Sequence, residues 1–147
     1  MTEKNWDYSV DVLVVGSGNG AMTAALSCYE MGLKDVLLIE KSDRVGGTSA
    51  TSGGGVWIPN NRYAKAAGAQ DSIEDAKKYL LNTTPEGAVP EEMVDAYLEN
   101  GPKMVDFLHE RSDVRYETLE HYPDYYTNVE GSRTGHRSME PERFDSS

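Results

Sequence analysis

The chain has a single cysteine, Cys28, so no internal disulfide framework can hold it, and a reducing cytoplasm is the expected setting. Cations are scarce: 14 Lys and Arg stand against 25 Asp and Glu, for a formal net charge of -11. Phosphate backbones and anionic membrane surfaces reward clustered cations, so nucleic acid is not an expected partner. No apolar run approaches the roughly 20 residues that span a bilayer, so no transmembrane segment is predicted. The opening Met1-Thr-Glu-Lys-Asn-Trp-Asp lacks the basic and apolar regions of a signal peptide. No repeat and no low-complexity stretch is visible. His109, His121 and His136 show no ligand spacing, so no metal is expected. What remains is 147 residues, 38% hydrophobic and 27% charged, a length that suits one compact domain.

The first 41 residues carry the clearest pattern. Val10 to Val15 is short, continuous and β-branched, which predicts a strand buried on both faces. A glycine turn follows, then a helix from Ala21 to Met31, with Gly32 suited to its C-terminal end. Asp35 to Glu40 predicts a second buried strand. Residues 8–41 are therefore read as a β-turn-α-β unit with a right-handed crossover. Residues 42–60 form a glycine-rich track, and residues 61–147 a mainly helical segment. In that segment, Asp71-Ser72 can cap a helix from Ile73 to about Leu81, with Asp75 placed for a capping-box-like contact to Ser72. Glu91 to Asn100 and Pro102 to Arg111 read as two helices, parted by Gly101. A short strand is expected around Val114 to Glu117. Met93, Tyr97, Met104 and Leu108 read as helix core faces, and Cys28 as a small packed hydrophobe. Trp57 is a packing residue or a neighbour of a ligand. Two parallel strands are fewer than such a sheet normally needs, so the fold class is α/β, an incomplete Rossmann-like domain from a longer protein.

The turn Gly16-Ser17-Gly18-Asn19-Gly20-Ala21 has separate uses for its small residues. Gly16 permits the tight turn, Gly18 lets a pyrophosphate approach the backbone, and Ala21 lets helix pack on strand. The helix N-terminus offers unpaired N–H groups and positive dipole to phosphates. Glu40 closes the second strand, where a carboxylate can accept from both ribose hydroxyls. This fingerprint alone does not separate NAD from FAD. The track that follows does: Lys41, then Gly46, Gly47, Thr48, Ser49, Ser52, Gly53, Gly54 and Gly55. Glycines among hydroxyl residues let a backbone lie flat on a ligand and donate hydrogen bonds along it. A long dinucleotide reaching from ribose to isoalloxazine suits such a track, so FAD is the expected cofactor. No histidine adjoins the track, and the linkage is expected to be non-covalent.

The run from Glu40 to Asn61 resembles the flavoprotein family of fumarate reductases and 3-ketosteroid dehydrogenases. Ser52-Gly-Gly-Gly-Val-Trp-Ile-Pro59 is similar to the 3-ketosteroid Δ1-dehydrogenase branch. So is the later run from Tyr122 to Pro141, with Asp124-Tyr125-Tyr126, Gly131-Ser-Arg133 and Gly135-His-Arg137. The resemblance implies 1,2-desaturation of a 3-ketosteroid, with hydride transfer to flavin N5. It implies an active-site role for Tyr126, assisting a basic tyrosine by hydrogen bonding. Such help is needed because an unperturbed tyrosine titrates near about 10. The sequence departs from the family at Thr127, where proline is usual, and at His136, where glycine is usual. The base, the keto-binding tyrosine and the amide donor have no counterpart in these residues, so this chain alone is not expected to turn over. The alternatives are a fumarate-reductase-like flavoprotein for another unsaturated acid or ketone, and a non-catalytic FAD-binding fragment. The electron acceptor is not indicated.

Overall fold

The computed structural model describes residues 5–143. The start of the leader reading and the terminal Phe144 to Ser147 lie outside them. The chain divides into two compact units, Met1–Ser52 and Gly53–Ser147. The division falls inside the glycine-rich track.

Unit 1 is the βαβ motif. β1 (Val12–Val15) pairs in parallel with β2 (Val36–Ile39), in register Val12 to Val36 through Val15 to Ile39. Between them runs α1 (Asn19–Glu30), which packs against both strands. Its end is a Schellman motif. The Leu33 N–H bonds to Cys28 O and the Gly32 N–H to Tyr29 O, with Gly32 at φ +101°. The expectation of strands buried on both faces fails. Leu13 and Val15 are 53% and 75% exposed, while Val14, which points the other way, is buried. One helix can cover only one face of a two-stranded sheet. Cys28 is half-buried.

Unit 2 mixes helices with a small antiparallel sheet. β3 (Val56–Trp57) pairs with β5 (Ser138–Pro141), which pairs on its other side with β4 (Tyr116–Thr118). The helices are α2 (Arg62–Ala66), α3 (Ile73–Thr83) and α4 (Glu91–Arg111). Asn61 caps α2 by accepting from Ala64 N, and Ser72 caps α3 by accepting from Asp75 N. The sequence reading missed β3, α2 and β5, which are too short for a period to register.

The two helices expected on either side of Gly101 are one helix of 21 residues with Pro102 inside it. An interior proline removes a hydrogen bond and crowds the carbonyl four residues back, at about 3 kcal/mol or more. Burial outweighs it. Val94, Leu98, Gly101, Val105 and Leu108 form one buried stripe that crosses the Gly-Pro step without a break in period. Each fully buried aliphatic side chain contributes roughly 1.5–3 kcal/mol. Gly101 is a packing residue rather than a helix end, since a Cβ there would sit 3.2 Å from Ile58 Cγ2. Of the four residues assigned to helix core, Leu108 is buried and Met104 packs on the core. Met93 and Tyr97 are exposed instead, because they fall off the stripe.

Two core clusters result. Ile58, Val105 and Met139 join β3, α4 and β5, with Val56, Tyr63, Met104 and Tyr116 around them. Ala76, Val94 and Leu98 join α3 to α4, with Leu80 beside them.

Candidate functional site

In unit 1 the glycine turn joins β1 to α1. Gly16, at φ +100°, extends the parallel ladder by donating from its N–H to Ile39 O at 2.7 Å. Gly18 is the N-cap position of α1 and offers no side-chain cap. The first N–H groups of a helix have no partner within it. At Asn19 that N–H is taken by Ser49 Oγ at 3.1 Å. Gly20 and Ala21 continue the first turn. The 3.4 Å from a Cβ built on Gly18 to Ser49 Oγ records how closely the turn and the 46–51 segment approach.

Ser17 lies beneath this turn, 1% exposed. Its hydroxyl donates to Glu40 Oε2 at 2.5 Å and accepts the Gly46 N–H at 2.8 Å. Glu40 Oε1 accepts the Ser42 N–H at 3.0 Å. The Ser17 hydroxyl first, then the Ser42 N–H, hold the Glu40 carboxyl below the usual carboxylate range. Glu40 is therefore a half-buried anion at the end of β2, and Lys41 beside it is exposed.

The glycine track contains a coiled stretch. Gly47–Thr51 coil into a 3-10 turn that contains Thr48 and Ser49. Gly46 makes this possible: it sits at φ +106°, and a Cβ there would meet Ala50 Cβ at 2.6 Å. The 3-10 turn lets the Ala50 N–H reach Gly46 O, so the segment bonds to itself. Ser52 ends it in an extended conformation. In unit 2, Gly53 to Gly55 lead into β3, and Gly54, at φ +73°, lies against the Pro141 ring.

Tyr126 sits in unit 2, in the loop between β4 and β5. Its ring is half-exposed and meets that of Tyr125 edge to face at 5.1 Å. Its backbone N–H donates to the Tyr79 hydroxyl at 3.1 Å. A buried network that the sequence reading missed holds this loop. Arg137, 2% exposed, grips Asp71 with two parallel bonds of 3.0 and 2.7 Å. It also donates to Asp124 Oδ2 at 2.7 Å and to Gly131 O at 2.8 Å. Asp124 in turn accepts from Trp57 Nε1 at 2.7 Å and from the Arg133 N–H at 2.9 Å. Trp57 packs between Tyr79 and Tyr97. Burial opposes the charge on Asp71, but the bonds and charge of Arg137 outweigh it and hold the Asp71 carboxyl below its usual range. Arg137 and Asp124 both lie inside the motif run noted above. The signal was there, in an arginine and an aspartate flanking a tyrosine pair, but the tyrosines drew the reading.

His136 adopts φ +71° and donates from its N–H to Leu119 O at 2.8 Å. That left-handed backbone explains why the resembled family places glycine there. Among the described residues no cluster of His, Cys, Asp and Glu is arranged to hold a metal, and no helix is long and apolar enough to cross a membrane.

A glycine turn between a parallel strand and a helix, with an ordered carboxylate at the end of the next strand, is the signature of a dinucleotide-binding fold. The family model of the FAD binding domain matches residues 11–144, and the chain belongs to that family. FAD is its cofactor. Among relatives, the chain is 43% identical to the 3-oxosteroid 1-dehydrogenase of Mycolicibacterium smegmatis, over 92% of this chain and 23% of that protein. It is 39% identical to the 4-oxocyclohexanecarboxylate 2-dehydrogenase of Sinomonas cyclohexanicum, over 90% of this chain and 23% of that one. The crystal structure of 3-ketosteroid Δ1-dehydrogenase from Sterolibacterium denitrificans, in complex with 1,4-androstadiene-3,17-dione, superposes with a TM-score of 0.85 at 47% identity. It is matched over 92% of this chain and 23% of its own. The chain spans about a quarter of the length of the curated relatives it matches.

Proposed function

We propose that this chain is the FAD-binding N-terminal portion of a 3-oxosteroid 1-dehydrogenase, which removes hydrogen across C1 and C2 of a 3-ketosteroid. The observation that carries the reading is the 43–47% identity to steroid dehydrogenases across 92% of the chain. Bound FAD would supply the hydride acceptor.

The chain's own residues have distinct tasks in this reading. Gly16, Gly18 and the first turn of α1 receive the pyrophosphate, with N–H donors and the positive end of the helix dipole. Glu40 accepts from the adenosine ribose. Gly46 to Ser49 line the cofactor, and the glycines of 53–55 donate from their backbone. The linkage is non-covalent, and the setting is the cytoplasm. Tyr126 contributes a hydroxyl to the steroid site of the whole protein and supports proton removal there. The hydrogen bond from the Tyr126 N–H to the Tyr79 hydroxyl favours this by helping to place the ring, since a hydroxyl that assists proton transfer must be within hydrogen-bond reach of its partner.

An absorbance spectrum of the purified chain, taken before and after FAD addition and removal of free cofactor, tests the first half. A retained band near 450 nm supports it, and its absence counts against this chain holding FAD by itself. Turnover of a 3-ketosteroid by the whole protein, compared with its Tyr126→Phe variant, tests the second half. Full activity in the variant would remove Tyr126 from the mechanism. The likeness to the oxocyclohexanecarboxylate enzyme favours a second reading, in which the substrate is a smaller cyclic ketone. Turnover of that ketone but not of steroid would select it.

A further inference from the structure

The Ser17 hydroxyl makes two hydrogen bonds inside unit 1. A serine hydroxyl has one proton to donate and two lone pairs. Here the proton goes to Glu40 Oε2 and a lone pair takes the Gly46 N–H. At 1% exposure, the residue cannot present that hydroxyl to a bound phosphate. It joins three segments instead: the glycine turn, the end of β2 and the first glycine of the 3-10 turn.

The consequence falls on Glu40. A carboxylate has about four lone-pair sites. The protein holds both oxygens, through the Ser17 hydroxyl on Oε2 and the Ser42 N–H on Oε1, with the backbone N–H groups of Lys41 and Ser17 adding to the hold. Glu40 is only half-buried, and its open side can accept from the two adjacent hydroxyls of a ribose. With both oxygens held, the carboxylate keeps its orientation before a nucleotide arrives, and less ordering is required on binding.

We propose that Ser17 is a positioning residue that locks Glu40 for a vicinal diol, and so makes unit 1 select nucleotides with an intact adenosine ribose. This rests on the reading of unit 1 as the nucleotide site. Ser17 then governs which nucleotide binds without touching it, and it also couples the ribose acid to the segment that begins at Gly46.

The test uses the full 147-residue chain and two probes, ADP and 2′-deoxy-ADP, with dissociation constants measured by calorimetry. The unaltered chain is expected to prefer ADP, by roughly two- to tenfold for one pre-ordered side chain. Ser17→Ala is expected to erase most of that preference. In the Glu40→Gln background the same change should do little more, because residues acting as one unit are not additive. An unchanged preference in Ser17→Ala, or fully additive losses, would overturn the proposal. If Ser17→Ala does not fold, Ser17→Cys keeps the shape with a much weaker donor and should show a partial loss. An unchanged preference there would be equally fatal. A second measurement needs no ligand. In the carboxyl NMR titration of the free chain, Ser17→Ala should move the Glu40 midpoint upward, and an unmoved midpoint contradicts the lock. Failure of the unaltered chain to bind ADP or FAD would mean that unit 1 does not hold a nucleotide by itself, while the titration would still decide whether Ser17 holds Glu40.

Discussion

The two units carry their information in opposite ways. Among the described residues of unit 1 only Val14 and Ser17 are buried, and α1 buries none of its residues. Unit 2 buries an aliphatic stripe, a methionine at the centre of its sheet and a charged network around Arg137. Unit 1 is nonetheless the part whose motif is plainest, because that motif resides in backbone shape and a few small residues. Unit 2 has the firmer interior, and its Tyr125–Tyr126 loop is held in place by that interior. A recognisable motif and a well-packed core are thus separate properties, and in this chain they are assigned to different stretches of sequence.

The sharpest test of that contrast is Arg137→Ala. Removing one partner of a buried ion pair leaves charge without compensation, at about 3–5 kcal/mol. Asp71 would keep only the longer Arg133 contact at 3.5 Å as an ion pair, and Asp124 would lose its guanidinium partner. Urea unfolding followed by tryptophan fluorescence should show the loss, since Trp57 bonds to Asp124. A change below about 1 kcal/mol would mean that water replaces the guanidinium, and that the network does not anchor the loop.

A matched pair of truncations comes next. Leu98→Ala, at a site 1% exposed, should cost about 2–5 kcal/mol. Leu13→Ala, at a site 53% exposed, should stay within about 0.5 kcal/mol. Equal losses at the two sites would break the comparison, because they would mean that the open face of β1 is covered in solution.

Acid should act on unit 2 through Asp71. Its carboxyl titrates lower in the folded chain than in the unfolded one, so the unfolded state takes up the proton first as pH falls. The stabilisation is complete above the ordinary aspartate value of about 3.9 and disappears as pH falls through the lower folded value. Urea midpoints measured from pH 6 down to pH 2 should fall in that window, and Asp71→Asn should flatten the fall. An unaltered slope in the variant would assign the acid limb to other carboxylates.

The smallest expected effect is at His136. A non-glycine residue in the left-handed region carries roughly 1–2 kcal/mol of strain, and glycine there loses more chain entropy on folding. His136→Gly should therefore raise the melting temperature by only a few degrees. A clear drop would show that the contact of the imidazole with the Thr118 hydroxyl matters more than the backbone.

The same division explains how far the sequence could be read. The βαβ unit was legible because each of its signals is local: a β-branched run, a glycine turn, a helix closed by Gly32 and an acid at the strand end. The turn glycines and Glu40 fall where that pattern puts them, and the Ser72 cap was equally local. The pairing of Asp71 with Arg137, 66 residues apart, has no local signature. The same holds for β3 and β5, which become strands only by pairing with each other. At Gly101-Pro102 a local rule pointed the wrong way. The uninterrupted spacing of Val94, Leu98, Val105 and Leu108 was the better guide, because burial of that stripe outweighs the broken hydrogen bond.

The enclosure of Arg137 also bears on how a protease would meet this chain. Trypsin cleaves after arginine and lysine, and needs an accessible, locally opened backbone to do so. Lys41 and Arg44 lie on exposed segments and offer that in the native state. Arg137 is 2% exposed, so the bond to Ser138 can be cut only when the structure around β5 opens. The rate at which that peptide appears in a digest would then follow the population of the open form. One arginine would thus serve as a built-in clock for the opening of the structure that surrounds it.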